Sequence, residues 1–317
     1  MKTLKPMFWR ALPFIVAYVV VLALISAGVI NDYIFAIIVT ICINIILASS
    51  LNLVTGFTGQ FSLGHAGFMA LGAYTCALIT MHFDSVFGFA LGILGGAVVS
   101  ALVGALVGLP TLRLRGDYLA IATLGMAEII RVILLNLGIT NGAAGLSGIP
   151  QYADWNWVFG LTAVTLIVLW NYIRSSHGRR AIAVREDEIA AEAIGINTTA
   201  VKVQAFTIGA FFAGIGGGLY ATYFYVIKPD QFGFLKSIDI LVIVVLGGLG
   251  SLSGTVVAAI VLALVSTVLA DFSDIRMIIY SLILVLIMIF RPGGLMGSKE
   301  ITDTVLGKVF RRKEAKA

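Results

Sequence analysis

The sequence predicts an all-α polytopic membrane protein. Only 12% of its 317 residues are charged, whereas soluble domains carry about 25%. Mean hydropathy is +1.04. Because so few polar side chains cannot cover a water-facing surface, the composition excludes a soluble enzyme, a disordered chain and a disulfide scaffold. Lipid must solvate most of the surface, and helices satisfy their own backbone hydrogen bonds there, whereas open sheet edges do not.

Ten hydrophobic segments divide the chain, and a helix needs about 20 apolar residues to cross a bilayer. They are Ala11–Ile30, Tyr33–Leu53, Ala66–Met81, Val86–Leu109, Leu119–Leu137, Val158–Ile173, Val203–Phe224, Ile238–Leu246, Thr255–Ala270 and Arg276–Phe290. The eighth is too short to cross alone, so we expect about eight to ten transmembrane helices, with a re-entrant segment as the alternative there.

Basic residues precede the first segment, as in a signal peptide. Its length and the lack of a small-residue cleavage site favour a retained helix.

The distribution of Lys and Arg predicts the orientation. When the segments are threaded in order, one side holds residues 1–10, 54–65, 110–118, 174–202 and 291–317. These stretches contain 17 of the 21 basic residues, all except Arg131, Lys228, Lys236 and Arg276. Since cytoplasmic loops are enriched in Lys and Arg, we expect both termini in the cytoplasm. Residues 1–317 then form a single transmembrane domain with a cytoplasmic N-terminus, a cytoplasmic loop at 174–202 and a cytoplasmic tail at 291–317. Lys and Arg in these loops account for the basic net charge, so the charge does not indicate that the protein binds nucleic acid.

A first Gly-rich break interrupts the apolar pattern at Leu53–Gly67, which reads LVTGFTGQFSLGHAG. It is too polar for a lipid-facing helix and too apolar for an exposed loop. Non-helical backbone at membrane depth lies inside protein or beside a watery cavity, and discontinuous helices mark transport routes. We therefore expect pathway or hinge roles, with the satisfaction of broken-helix backbone groups as the alternative. The candidates are Gly56, Gly59, Gln60, Ser62, Gly64 and His65. His65 has no second ligand at metal spacing.

A second Gly-rich break, Gly247–Gly254, reads GGLGSLSG. It lies between two apolar segments as the first break does, which raises the hypothesis of a weak internal repeat of parallel sense. Its pathway or hinge candidates are Gly247, Gly248, Gly250 and Ser251. The alternative is close helix packing, because small residues let membrane helices approach each other.

Two charges, Glu128 and Arg131, fall inside the segment Leu119–Leu137. Each costs about 2.5–3.5 kcal/mol at the centre of a membrane helix. Their i, i+3 spacing places them on one helical face, so we predict an intramembrane ion pair, with contact to a transported substrate as the alternative. The spans hold few other titratable groups, which argues against a proton-coupled pump.

The cytoplasmic loop contains a predicted amphipathic helix, Arg179–Ala193, which is free of Gly and Pro and is ended by Gly195. Ile182, Ile189 and Ala193 are expected to share one face. A short tethered helix suits insertion into a groove on a partner. The alternative is a helix on the bilayer surface, but such helices favour a basic polar face, and this one is acidic.

Four motifs resemble those of one transporter family. GQFSLGHAGFMALGAY, the stretch Arg180–Asn197, VVLGGLGSLSGTVVAA and RPGGLMG are similar to the permease subunits of branched-chain amino acid ABC importers, above all the LivM type. The resemblance covers roughly residues 40–297. It implies a bacterial cytoplasmic (inner) membrane, a second permease subunit of the LivH type, two ATP-binding cassette subunits, and a periplasmic or lipid-tethered binding protein that delivers Leu, Ile or Val.

The stretch EDEIAAEAIGIN is similar to the EAA-type coupling segment of importers, although its Gly stands at a different distance from the acidic residue. The resemblance implies that an ATPase subunit docks on Arg185, Glu186, Glu188, Ala190, Ala191, Glu192 and Gly195. No G-x-x-x-x-G-K-[ST] phosphate-binding motif occurs, nor does a catalytic nucleophile–base set. We therefore expect no cofactor, metal or enzymatic activity in this chain, with ATP and Mg bound by partner subunits.

Two other functions remain open from the sequence. A permease of the same family for urea, short amides or other amino acids would share these motifs. An ion-coupled secondary transporter or channel would act without ATPase subunits, and the sparse intramembrane acids count against it.

Overall fold

A computed structural model describes residues 16, 18–28, 30–114, 116–268, 282, 285 and 294–297. The prediction of an all-α polytopic membrane protein is confirmed, since five of the described helices are long and apolar enough to cross a membrane. The predicted segment Arg276–Phe290, apart from two single positions, lies outside the described residues, as do the stretch 1–10 and most of the tail 291–317.

Ten α-helices are defined within the described ranges, and residues 18–26 are also helical. The helices are α1 (Asp32–Asn52), α2 (His65–His82), α3 (Val86–Thr111), α4 (Asp117–Asn136), α5 (Trp155–Arg174), α6 (Ser176–Glu186), α7 (Glu188–Ala193), α8 (Thr198–Phe224), α9 (Phe234–Gly247) and α10 (Leu252–Val268). All except α6 and α7 coincide with predicted apolar segments.

Polar side chains set several helix starts. The side-chain oxygens of Asn31, Ser85 and Asn197 each accept a hydrogen bond from a backbone N–H in the first turn of α1, α3 and α8, at 3.0 Å in each case. These bonds satisfy N–H groups that have no partner inside a helix. The starts of these three helices are therefore set by residues close by in the sequence.

The α9–α10 pair forms a helical hairpin. Helix α9 has 14 residues, about 21 Å at 1.5 Å per residue, which is shorter than the roughly 30 Å hydrocarbon core. The four-residue turn 248–251 joins it to α10, and three of these four residues are buried. The hairpin tip is therefore mostly buried within the protein, with Leu249 as its exposed residue.

Glycines bring α2, α3 and α8 into close contact at the centre of the bundle. A methyl group on Gly72 of α2 would overlap the backbone of Gly214 in α8. A methyl group on Gly214 would in turn come within 2.8 Å of the carbonyl oxygen of Gly96 in α3. Small residues at these positions let the backbones approach and gain dispersion contacts without a hydrophobic driving force.

The connecting segments gather at two ends of the bundle. At one end, β1 (Leu146–Ser147) pairs antiparallel with β2 (Val226–Ile227). There, the Tyr152 hydroxyl donates to Asp84 at 2.8 Å. The first break, α6, α7 and the hairpin tip lie at the opposite end, and this alternation matches the threading of the predicted segments.

The predicted single helix Arg179–Ala193 is wrong. Asp187 has an extended backbone (φ −157°) and separates α6 from α7. Its carboxylate accepts hydrogen bonds from the N–H groups of Ile189 and Ala190, at 2.9 and 3.0 Å. An Asp side chain that caps a new helix competes with continuation of the old one, and a prediction from helix propensity missed this.

Gly195 ends α7, as the sequence predicts. Its φ is +84°, and its N–H donates to Glu192 O at 2.9 Å while the Ile196 N–H donates to Ala191 O at 3.0 Å. These two bonds form a Schellman motif, in which a left-handed residue closes the helix.

We predict that Gly72→Ala destabilises the bundle and that Gly160→Ala does not. The added methyl group at Gly72 overlaps the Gly214 backbone, whereas at Gly160 in α5 it meets nothing within 4 Å. Overpacking costs about 1–3 kcal/mol, while an unstrained Gly→Ala change stabilises by about 0.4–1 kcal/mol. Thermal unfolding in detergent measures both, and equal melting temperatures would contradict the packing account.

Candidate functional site

All four sequence motifs meet at one end of the molecule. The first break follows α1, the hairpin tip carries the second break, and α6–α7 lie beside both. The C-terminal motif joins them, since the Leu295 N–H donates to Leu246 O at 2.8 Å. Segments that are up to about 240 residues apart in the sequence thus form one cluster.

The first break is held by hydroxyl groups from other helices. Helix α1 continues into a π-helical turn, Leu53–Phe57, and the chain then runs without helix until α2. In this stretch the Leu63 N–H donates to Thr123 Oγ1 of α4 at 3.1 Å. At the start of α2, the Ala66 N–H donates to Ser237 Oγ of α9 at 3.2 Å. These bonds satisfy backbone groups that helices would otherwise pair.

The polar side chains of the first break differ in their partners. His65 is buried, with its Nε2 2.8 Å from Ser50 Oγ, and Ser62 Oγ accepts from the Gly64 N–H at 3.4 Å. Gln60 is only 3% exposed, yet within the described residues neither its amide oxygen nor its amide nitrogen has a hydrogen-bond partner. His65 and Ser62 therefore have hydrogen-bond partners within the protein, whereas Gln60 is left with unused hydrogen-bonding capacity.

Asn52, which the sequence analysis did not single out, joins the two breaks. It is fully buried in the last turn of α1. Its amide nitrogen donates to Ser251 O at 3.0 Å and Thr255 Oγ1 at 2.7 Å. Its amide oxygen accepts from the Gly250 N–H at 2.9 Å. The sequence did contain a signal for this role: an Asn in an apolar segment next to the break, whose amide needs hydrogen-bond partners when it is buried.

Glycines permit the close approach of the breaks. A methyl group on Gly56 would overlap both the Asn52 side chain and the backbone nitrogen of Gly250. Gly248 and Gly250 also have positive φ angles, +112° and +87°, which L side chains rarely adopt. The glycine content of both breaks therefore has a steric and a conformational cause.

Arg185 connects α6 to this junction. Its Nη1 donates to Gly56 O at 2.9 Å, and its Nε donates to the Glu186 carboxylate at 3.1 Å. A methyl group on Gly250 would lie 2.8 Å from the Arg185 guanidinium. A charge-assisted bond to a carbonyl oxygen is stronger than a neutral one, so α6 is tied directly to the first break.

Three of the predicted docking residues of α7 make contacts within the protein itself. Lys202 Nζ donates to Glu188 Oε1 at 2.6 Å, and the Thr198 hydroxyl donates to Glu192 Oε1 at 2.7 Å. Ala191 is buried in a small cluster with Ala181, Val184 and Val201. Glu188 and Ala191 therefore hold α7 against α6 and α8.

The exposed side of α7 is apolar at its centre. Ile189 is 72% exposed and Ile194 is 76% exposed. The predicted common face of Ile182, Ile189 and Ala193 does not form, because Asp187 places Ile182 on a different helix. Because the resemblance implies that an ATPase docks here, we call this side, together with Glu186 at the end of α6 and Ile194 just after α7, the docking surface. It consists of Glu186, Ile189, Ala190, Glu192 and Ile194, all of which are exposed.

A cleft of about 430 Å³ opens between the two breaks and α6. It is lined by Thr55, Gly56, Gly59, Phe61, Arg185 and Leu249. The cleft combines one guanidinium with glycines of the first break and the hairpin tip, so motion of any of these segments would change its shape.

Glu128 and Arg131 are paired near the other end of α4. Arg131 Nε lies 2.7 Å from Glu128 Oε2, and Arg131 Nη1 lies 3.0 Å from Asp230 Oδ1. Asp230, in the loop before α9, is a third member that the sequence did not predict, because it is 99 residues away. The charges satisfy one another, and no metal-binding group of three His, Cys, Asp or Glu occurs among the described residues.

A bundle of membrane helices with two largely buried, Gly-rich breaks beside a cleft has the architecture of a transport protein. Comparison with known families agrees, since residues 33–291 match the model for the permease component of branched-chain amino acid transport systems. The chain belongs to this family, which is a family of membrane permeases and not of enzymes.

The relatives include both permease types. The chain is 39% identical to the LivM permease protein of Salmonella typhimurium over 80% of this chain and 68% of the relative. It is 38% identical to LivM of Escherichia coli K12 over the same shares. It is 24% identical to LivH of Escherichia coli K12 over 81% of this chain and 92% of the relative. No solved structure matches the chain.

We predict that Arg131→Met lowers the free energy of unfolding by about 2 kcal/mol, the scale of a hydrogen bond to a charged group. The change leaves the Glu128 carboxylate unpaired within the span of α4. The double variant Glu128→Gln/Arg131→Met removes both charges and should recover part of the loss. Thermal melts of the purified protein compare the two, and a double variant no more stable than the single one would contradict the ion-pair role.

Proposed function

We propose that this chain is one permease subunit of an ATP-driven importer of branched-chain amino acids. The observation that carries the mechanism is the hydrogen bond from Arg185 to Gly56 O. It connects an exposed cytoplasmic helix pair to a break in the membrane bundle. The proposed cargo, Leu, Ile or Val, is supported by the transport system named for the relatives.

We further propose a bacterial inner-membrane location with both termini in the cytoplasm. The support is the distribution of charge: Arg174, Arg179, Arg180 and Arg185 all lie at the end of the bundle that carries α6 and α7. Lys and Arg favour the cytoplasmic side. On this orientation the β1–β2 pair faces the periplasm, and the chain forms a single transmembrane domain, residues 1–317.

The proposed partners are a second permease of the LivH type, two ATP-binding cassette subunits and a solute-binding protein outside the cytoplasmic membrane. The 24% identity to LivH across most of both chains supports a pair of related permeases. The partner ATPases would bind ATP and Mg, because this chain contains no phosphate-binding motif.

In the proposed mechanism an ATPase subunit binds the docking surface. Ile189 and Ile194 would fill an apolar groove, and Glu186 and Glu192 would face a basic rim. Apolar anchors at the centre of an interface and charges at its edge are the usual arrangement. Closure of the ATPases on ATP would move α7 and α6, and Arg185 would pass this movement to the first break.

The proposed route for the cargo runs beside the two breaks. Gln60 supports this proposal, because a buried amide without a protein partner costs free energy and would be satisfied by water or cargo. The glycines at 56, 59, 64, 247, 248 and 250 would act as hinges. Ser62 and Ser251 would hold backbone N–H groups of the breaks, and His65 would hold the start of α2 against Ser50 of α1.

We predict that Ile194→Asp weakens ATPase binding about tenfold or more, since an anchor residue contributes at least 1–2 kcal/mol to an interface. The measurement is the amount of ATPase subunit that co-purifies with the tagged chain, together with uptake in proteoliposomes. Leu114→Asp is the matched control, because Leu114 is also an exposed aliphatic residue at the same end and lies outside the docking surface. Normal co-purification and uptake with Ile194→Asp would contradict the docking assignment.

We predict that proteoliposomes with the permease pair, both ATPases and the binding protein accumulate leucine when ATP is supplied. The chain alone should accumulate nothing, because its sequence carries no G-x-x-x-x-G-K-[ST] phosphate-binding motif and uptake would depend on the proposed ATPase partners. Radiolabelled leucine, isoleucine, valine and urea are compared in parallel. Accumulation by the chain alone would refute the ATP-driven mechanism, and uptake of urea in place of leucine would refute the cargo.

A further inference from the structure

We infer that Asn52 fastens the two Gly-rich breaks into one moving unit, so that a displacement of α6 and α7 reaches the α9–α10 hairpin. The inference rests on the proposed function, in which force enters the chain at α7. It assigns Asn52 a positioning role, since Asn52 acts through the hairpin tip.

The Asn52 side-chain amide makes its hydrogen bonds to residues of the hairpin tip and the start of α10. Its nitrogen has two hydrogens, which face Ser251 O and Thr255 Oγ1, with Gly248 O as a longer contact at 3.4 Å. Its oxygen accepts from the Gly250 N–H. These partners lie 196–203 residues away in the sequence. The bonds therefore join α1 to the hairpin and contribute nothing to α1 itself.

The steric contacts around Gly56 reinforce this junction. Gly56 packs against both Asn52 and Gly250 so closely that a methyl group would displace them. The carbonyl oxygen of the same Gly56 receives the hydrogen bond from Arg185. One residue thus contacts the end of α6, the end of α1 and the hairpin tip.

The order of contacts defines a short path for movement. The docking surface lies on α7, which follows α6 across Asp187. Arg185, at the end of α6, holds Gly56, and Asn52 holds the hairpin tip. Because protein interiors are close-packed, such contacts transmit displacement. A two-state movement of α6 would then carry the first break and the hairpin together.

A purely structural role predicts a different phenotype. Loss of Asn52 would then reduce folding, assembly, ATP hydrolysis and uptake in parallel. A transmission role predicts that the complex assembles and hydrolyses ATP in response to the binding protein, while uptake per ATP falls. The ratio of uptake to hydrolysis therefore separates the two.

The first test measures this ratio in proteoliposomes that contain the complete importer. We expect Asn52→Ala to lower uptake per ATP about tenfold or more, because the change removes the side-chain hydrogen bonds that join α1 to the hairpin tip. Thr255→Val removes one acceptor and should have a smaller effect of the same kind. Thr222→Val is the control, because the Thr222 hydroxyl is equally buried but donates to Gly218 O of its own helix at 2.8 Å.

The second test measures distances between pairs of spin labels on introduced cysteines. The labelled positions are exposed: Leu106 on α3, Arg180 on α6 and Leu249 at the hairpin tip. The native residues Cys42 and Cys76 are buried and react poorly with labels. In the otherwise unmutated importer, ATP should change the Leu106–Arg180 and Leu106–Leu249 distances and leave Arg180–Leu249 constant. In Asn52→Ala, the Arg180–Leu249 distance should become dependent on ATP.

The outcomes distinguish the two proposals. If ATP does not change the Leu106–Arg180 distance, force does not enter at α6 and the proposed function fails. If α6 moves but Leu106–Leu249 stays constant, or if Asn52→Ala and Thr255→Val keep the ratio of the unmutated importer, the role of Asn52 is overturned. Where Asn52→Ala does not assemble, Thr255→Val and the distances in the otherwise unmutated importer decide.

Discussion

Backbone groups inside a membrane need hydrogen-bond partners, and this need governs how the helices of this bundle are arranged. A helix pairs its own N–H and C=O groups, but two breaks in this bundle release groups that lipid cannot satisfy. Hydroxyl groups of Thr123 and Ser237 and the amide of Asn52 supply the missing partners. Because these side chains come from α4, α9 and α1, satisfying the breaks also fixes which helices lie beside them.

Glycine makes these arrangements sterically accessible. Gly56 and Gly250 let the two breaks approach to backbone contact, and Gly250 adopts a positive φ within the hairpin tip. The same absence of side chains that allows this contact lowers the barrier to backbone rotation. A junction that is held by a few specific hydrogen bonds and flanked by glycines suits a segment that moves as a unit between two positions.

The helix pair α6–α7 divides its residues between support and contact. Glu188 binds Lys202 and Ala191 is buried, so these residues anchor α7 to α8. Ile189 and Ile194 remain exposed, although exposing apolar side chains is unfavourable in water. In the proposed mechanism a partner ATPase covers these side chains, and Arg185 connects this surface to the breaks.

The fold class, the apolar segments within the described residues, the positions of both breaks, the end of α7 at Gly195 and the family could all be predicted from the sequence, because these features depend on composition, short periodicities and local motifs. The sequence predicted one helix where Asp187 makes two, since helix propensity does not show which N–H groups a side chain will cap. Only the tertiary structure brought the four motifs together, revealed Asn52 and Asp230, and placed Ala191 inside. Those features depend on contacts between residues that are far apart in the chain, and hydrogen-bond partners at such separations are selected by helix packing and not by local sequence.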